Sequence, residues 1–174
     1  PFMELWFHSK EDEHSPSVET KLIGDYNAPN ALAAMCIGWH FGIDEEMIIE
    51  ALEKYEPTNN RSQFTDTGRN QLVLDAYNAN PRSMRLAVEN FAKQTHRNKV
   101  LLLGGMAELG DESLKEHKAI VELIKQNDWE KVVLVGGDFL KFDHPFIKFE
   151  TALQAREWWQ QQHFENTHAL IKGS

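Results

Sequence analysis

Between residues 62 and 171, short apolar runs alternate with stretches whose apolar positions recur every three or four residues. Residues 100–103 and 132–135 are wholly apolar, the mark of strands covered on both sides. Residues 62–67 and 71–75 flank Gly68-Arg69-Asn70 and predict a hairpin, while 146–149 and 168–171 predict two further strands. Met84, Ala87, Val88, Phe91 and Ala92 share one helical face, and so do Leu114, His117, Ile120, Val121 and Ile124. Asn80-Pro81 offers a cap followed by proline at the first helical position. Asp111 is expected to cap the second helix, and Thr151 with Gln154 forms a capping box for a third. Strands alternating with amphipathic helices predict an α/β fold, a mostly parallel sheet with helices on both faces.

Residues 1–57 follow a different rhythm. Residues 1–7 and 18–23 have the character of strands, joined by a polar stretch over 8–17. Asn27 is expected to cap a helix with Leu32, Met35, Cys36 and Trp39 inward, stopped by Gly42. Asp44 is expected to cap another, with Ile48, Ala51, Leu52 and Tyr55 on one face and Pro57 at its end. Two strands and two helices without a further layer resemble part of a domain.

Composition narrows the classes. Eighteen basic against 27 acidic residues give a net charge of −9, which lacks the basic footprint that nucleic-acid binding needs. No apolar run is long enough to span a membrane, and no signal peptide is visible. The single Cys36 allows no internal disulfide and suits a reducing cytoplasm.

In open parallel sheets ligands gather beyond the carboxyl ends of the strands, and three segments there carry candidate chemistry. The first is Asp75-Ala76-Tyr77-Asn78-Ala79-Asn80-Pro81. A strand-end carboxylate can accept two hydrogen bonds from a ribose diol, and the helix start beyond it offers N–H groups to an anion. The same residues can equally build an Asx turn and a cap, and for Asn80 the cap is the stronger reading. In the second segment Gly105 and Gly110 have phosphate-loop spacing, but Asp111 and Glu112 stand where Lys and Ser or Thr are required. Tight-turn glycines are the stronger reading, and with Gly136-Gly137-Asp138 no GxGxxG arises. His117 reads as a helix residue beside the sheet, not a base. The third segment ends in Lys172-Gly173-Ser174; such a lysine can meet a carboxylate or phosphate, although snorkelling to the surface is commoner. The eight histidines lack metal-ligand spacing, and the five tryptophans read as core and packing residues.

Asp75 to Pro81 with Ser83-Met84, Gly105-Met106-Ala107-Glu108-Leu109-Gly110 with Glu116-His117, and Ile171-Lys172-Gly173-Ser174 together resemble the Mur ligases. Within them, the closest likeness is to the branch that adds D-alanyl-D-alanine. Tyr26-Asn27-Ala28-Pro29-Asn30-Ala31-Leu32-Ala33-Ala34 resembles the Asn-rich helix start of the family's central ATPase domain. Asn59-Asn60-Arg61-Ser62 resembles the arginine segment leading into its last domain. The motifs stand in the family's order over about residues 18–174.

The resemblance implies an ATP-dependent amide ligase with a UDP-sugar-binding domain, a central P-loop ATPase and a Rossmann-like C-terminal domain. Residues 1–57 would be the end of the central domain, and 58–174 the C-terminal domain, truncated at its end. Such an enzyme phosphorylates the carboxylate of UDP-N-acetylmuramoyl-tripeptide with ATP, and the amine of D-alanyl-D-alanine attacks the acyl phosphate. The setting is cytoplasmic peptidoglycan-precursor synthesis. Carried over by residue, Asn27 and Asn30 would contact adenine, Asp75 the ribose, and Arg61 the ATP phosphates as a catalytic group. Asn78 and Asn80 would line the interdomain cleft near the phosphates or the incoming amine, with Lys172 and Ser174 near the incoming dipeptide. The phosphate loop and the Mg2+ ligands are missing from this segment, which alone is expected to be inactive and to hold no metal. Gly104-Gly105-Met106 departs from the family's more frequent Gly-Asp-Met, so position 105 carries no charge. Two alternatives stand beside this reading. One is a diaminopimelate-adding or folylpolyglutamate-type ligase, against which Tyr77-Asn78-Ala79-Asn80 argues; the other is a non-catalytic Rossmann-like docking module.

Overall fold

Residues 2–6 and 17–174 are described by the computed structural model, in which the chain divides between Thr58 and Asn59 into two units. In the first unit β1 (Phe2–Trp6) and β2 (Ser17–Ile23) pair antiparallel. The polar connection expected between them lies, apart from Ser17, outside the described residues. α1 (Ala28–His40) and α2 (Glu45–Lys54) follow. Met3, Leu22 and Ala31 form a small buried cluster, with Leu5 and Leu52 against it.

The buried stripe of α1 differs from the expected one. Ala31, Met35 and Gly38 are buried, whereas Leu32, Cys36 and Trp39 are exposed. Small residues win because α2 comes very close: a Cβ on Gly38 would stand 2.8 Å from Ile48 Cδ1. α1 does stop at Gly42, whose φ is +72°, in a Schellman arrangement with Gly42 N–H donating to Trp39 and Ile43 N–H to Gly38. Asn27 stands at the N-cap but does not cap. A 3-10 turn (Asp25–Asn27) leaves it in helical φ/ψ, so its side chain cannot fold over the first-turn N–H groups. In α2 Ile48 is buried, Ala51 and Tyr55 are exposed, and the helix ends at Lys54, short of Pro57.

The second unit is built on six strands: β3 (Gln63–Asp66), β4 (Gln71–Asp75), β5 (Lys99–Gly104), β6 (Lys131–Val135), β7 (Ile147–Phe149) and β8 (His168–Lys172). Their order is β3-β4-β8-β5-β6-β7. Every neighbouring pair is parallel except the β3–β4 hairpin, which turns at Gly68. The expected mostly parallel α/β sheet is therefore present. α3 (Pro81–Lys93) and α5 (Ala152–Gln162) both open with complete capping boxes, Asn80 with Ser83 and Thr151 with Gln154. α4 (Ser113–Ile124) begins differently. Asp111 is taken up in a 3-10 turn (Gly110–Glu112), so the expected aspartate cap is not formed.

Across the three central strands Val73, Leu170 and Leu101 stand in register and are all buried. α3 reaches this side, since Phe91 stacks on His168 two residues along from Leu170. The opposite side carries Leu74, Ile171 and Leu102 in register, and these are only half-buried. α5 covers that side over β6 and β7 and leaves the centre open. None of the five tryptophans is fully buried: Trp6 and Trp39 are exposed, Trp129 stacks on Phe91, and Trp158 and Trp159 flank Phe164. The last three pack at the rim of the core, whereas Trp6 and Trp39 depart from the expected packing role.

Candidate functional site

At the carboxyl end of β4, Asp75 lies beside Lys172 of β8 in the parallel register. Lys172 Nζ is 2.6 Å from Asp75 Oδ2 and also donates to the Asn78 carbonyl at 3.3 Å. The Lys172 side chain is 2% exposed. A lysine so enclosed does not reach the surface, and the expected snorkelling position is replaced by a buried ion pair. The second oxygen of Asp75 accepts the Ser62 N–H at 3.1 Å. Each oxygen thus spends one lone pair on the protein and keeps another for a ligand hydroxyl.

Arg61 is drawn into the same cluster by its neighbour. Its guanidinium carbon lies 3.7 Å from the centroid of the Tyr77 ring. The backbone here is unusual: Asn59, Asn60 and Ser62 have φ of 59°, 56° and 50°. Asn78 turns inward on itself, its Oδ1 accepting the Ala79 N–H at 2.7 Å. Asn80 spends its Oδ1 on Ser83 N–H in the cap.

The loop after β5 is the second wall. A Cβ on Gly105 would lie 2.7 Å from Gly137 Cα, so two glycines let the β5 and β6 loops touch. An aspartate at 105 has no room in this arrangement, which gives the departure from Gly-Asp-Met a steric meaning. His117 is fully buried; its Nε2 accepts the Met106 N–H at 3.0 Å, and Nδ1 donates to the Ser113 carbonyl at 2.7 Å. Both ring nitrogens are engaged, so His117 holds the loop, as its expected place beside the sheet allows. Ser174 Oγ donates to the Gly105 carbonyl at 3.0 Å and accepts from Ala107 N–H at 3.3 Å. Asp138, next to Gly137, has its carboxyl held below the ordinary range, first by the hydrogen bond from Lys141.

Between this loop, the half-buried sheet face and α5 runs a cleft of about 700 Å³, with Leu102, Ile171, Trp159 and Arg156 in its walls. Lys172 and Ser174 also line it. The structure therefore gathers Arg61, Asp75, Asn78 and Lys172 in one cluster, with Asn80 beside it in a cap and Ser174 on the neighbouring loop. Asn27 and Asn30 belong to the first unit, where Asn27 Nδ2 donates to the Ile23 carbonyl and Asn30 Nδ2 to Asn27 Oδ1. Sequence reasoning missed Tyr77, Ser62 and Gly137 as parts of this architecture. Tyr77 had a signal, an aromatic residue two positions beyond a strand-end carboxylate; the Ser62 contact is through backbone and had none. Among the described residues no group of three or more His, Cys, Asp or Glu side chains could hold a metal ion.

The model of the Mur ligase, glutamate ligase domain, matches residues 60–173. UDP-N-acetylmuramoyl-tripeptide–D-alanyl-D-alanine ligase of Mycobacterium tuberculosis (strain ATCC 25618 / H37Rv) is 36% identical over 132 residues, covering 71% of this chain and 26% of the relative. A crystal structure of MurF from Acinetobacter baumannii superposes with a TM-score of 0.84 at 26% identity, over 99% of this chain and 40% of that one. The fold is also that of MurF from Thermotoga maritima in complex with ADP, with a TM-score of 0.78 at 17% identity, over 99% of this chain and 42% of the other. This chain spans about a quarter of the length of the curated relatives it matches. With the domain model matched from Asn60 to Gly173, about two thirds of its length, the chain belongs to the Mur ligase family.

Proposed function

We propose that the protein to which this chain belongs is an ATP-dependent ligase joining D-alanyl-D-alanine to UDP-N-acetylmuramoyl-tripeptide, in cytoplasmic synthesis of peptidoglycan precursors. The observation that carries the reading is the strand-end cluster, in which Asp75, fixed by Lys172 and Ser62 N–H, stands beside Arg61. Asp75 binds the ribose hydroxyls of ATP with its remaining lone pairs. Arg61 offers its planar fork to the phosphate oxygens, where charge builds as the terminal phosphoryl group passes to the tripeptide carboxylate. That transfer forms an acyl phosphate and releases ADP; attack by the dipeptide amine on the acyl carbon then forms the amide and expels phosphate. Asn27 and Asn30 serve the adenine, Asn78 and Asn80 stand near the phosphates or the incoming amine, and Lys172 and Ser174 lie on the side where the dipeptide enters. For Lys172 that role is indirect, through Asp75. Magnesium belongs to residues elsewhere in the full-length protein.

In the same reading, residues 1–57 are the end of the central ATPase domain and 58–174 the C-terminal domain, truncated at its end. The half-buried Leu74, Ile171 and Leu102 support this, because a parallel sheet is normally covered on both faces. A further helix laid into the 700 Å³ cleft beside α5 would supply that cover.

The test is acceptor choice by the full-length protein. With ATP and UDP-tripeptide it should join D-alanyl-D-alanine, releasing one ADP per amide, and should refuse diaminopimelate and glutamate. The 174-residue chain alone should turn over nothing. Preference for either amino acid would give the protein to another branch of the family, and no ADP release with any acceptor would favour a docking module.

A further inference from the structure

Arg61 and Tyr77 flank the β3–β4 hairpin in sequence, one before its entry and one beyond its exit, which brings them to the same end of it. Their contact, 3.7 Å from guanidinium carbon to ring centroid, places the cation over the face of the ring. Tyr77 is 61% exposed, so burial of its ring does not explain the arrangement. Among the described residues no carboxylate lies within ion-pair distance of Arg61. The chemical difference is specific. A carboxylate partner would orient the guanidinium by consuming its N–H donors, whereas a ring face orients the plane and consumes none.

The backbone beside Arg61 is fixed as well. Asn59 and Asn60 take a left-handed φ that asparagine tolerates, but Ser62 takes it too, at φ 50°, where a surrounding contact has to hold it. The Ser62 N–H is held by Asp75, and Asp75 by the buried Lys172. The main chain is thus pinned at one end of the arginine and the guanidinium plane is set at the other.

We propose that Tyr77 is the positioning residue for Arg61, presenting the guanidinium with all its N–H donors available to the phosphoryl oxygens of a nucleotide. The proposal rests on the reading that Arg61 meets phosphate. It distinguishes Tyr77 from the residues that bind ATP, since the ring acts only through Arg61. A preoriented fork contributes more in the transition state than in substrate binding.

The experiment is a double-mutant cycle in the full-length ligase with Arg61→Gln, Tyr77→Leu, their combination, and Tyr77→Phe. Tyr77→Leu should lower kcat about three- to fivefold, with the KM for ATP within about twofold of the parent. Tyr77→Phe keeps the ring face and should restore kcat to within about twofold. In the Arg61→Gln background, Tyr77→Leu should cost nothing more. Nuclear magnetic resonance of the 174-residue chain gives an independent readout: the Arg61 δ-methylene protons should lie upfield in the parent and in Tyr77→Phe, and move back in Tyr77→Leu. Equal losses in Tyr77→Phe and Tyr77→Leu, a raised KM for ATP with normal kcat, or additive losses in the cycle would each overturn the proposal. If Arg61→Gln is slow while Tyr77→Leu is normal, Tyr77 alone loses its role. If Arg61→Gln is itself normal, the phosphate assignment of Arg61 fails and Tyr77 falls with it.

Discussion

His168 and Lys172 stand four residues apart on β8, at the amino and carboxyl ends of one strand, and both are essentially inaccessible. Burial treats them in opposite ways. Lys172 has a carboxylate at 2.6 Å and a carbonyl at 3.3 Å, so its ammonium is paired and hydrogen-bonded. His168 faces rings: Phe91 at 5.0 Å and His96 at 4.1 Å, both nearly parallel to it. Its Nδ1 meets Gln71 Oε1 at 3.2 Å, and Nε2 has no hydrogen-bond partner among the described residues. With no carboxylate beside it, burial, reinforced by His96, pushes its pKa down to about 4. The end of the strand that carries the candidate site keeps a charge inside the protein; the other end excludes one. What differs is the partner, not the depth.

The sharpest way to break this comparison is to remove the charge at the carboxyl end. Lys172→Met leaves Asp75 mostly enclosed without its ammonium, and unfolding in denaturant should show a loss of about 3–5 kcal/mol. Adding Asp75→Leu should recover a large part of that loss, because the uncompensated carboxylate is then gone as well. A single variant as stable as the parent would mean that the pair is held open to water.

At the amino end the comparison is tested by pH. The folded pKa of His168 lies below its unfolded value of 6.5, so the unfolded chain binds the proton more tightly. Its contribution to stability is therefore complete above pH 6.5 and lost as pH falls toward about 4, where the folded form also titrates. The loss across that window should reach about 3 kcal/mol. His144, also held low by burial, adds a change of the same sign. Denaturant midpoints measured between pH 7 and 4 should fall less steeply in His168→Phe; identical slopes would show that His168 takes up its proton while folded.

The smallest effect belongs to an exposed pair at the same end of the sheet. Arg69 and Glu165 meet at 3.0 Å with both side chains mostly in solvent. Arg69→Ala should cost less than about 1 kcal/mol and less still in salt. A loss comparable to that of Lys172→Met would remove burial as the reason the two ends of β8 behave differently.

How much of this is legible in the residues depends on range. The apolar runs at β5 and β6 are short and bounded by turn signals, and the caps at Asn80 and Thr151 involve residues three apart, so local physics decided them, although the cover expected on both faces of β5 is only partial at Leu102. The α1 face misled because helical spacing ranks residues by hydrophobicity, whereas the contact with α2 selects them by size at Gly38. Asp75 was legible as a strand-end carboxylate, and Lys172 as a residue at the end of another strand. That they face each other was not, because β4 and β8 become neighbours only when the chain crosses back from β7 to the middle of the sheet. The sequence by itself determined the elements, their order and the family motifs, since these follow from periodicity, capping and short spacings. Only the tertiary structure decided that Lys172 is buried in an ion pair, that Arg61 lies on Tyr77 and that His168 is denied its charge. Each of those depends on a neighbour distant along the chain and on the local dielectric that packing creates.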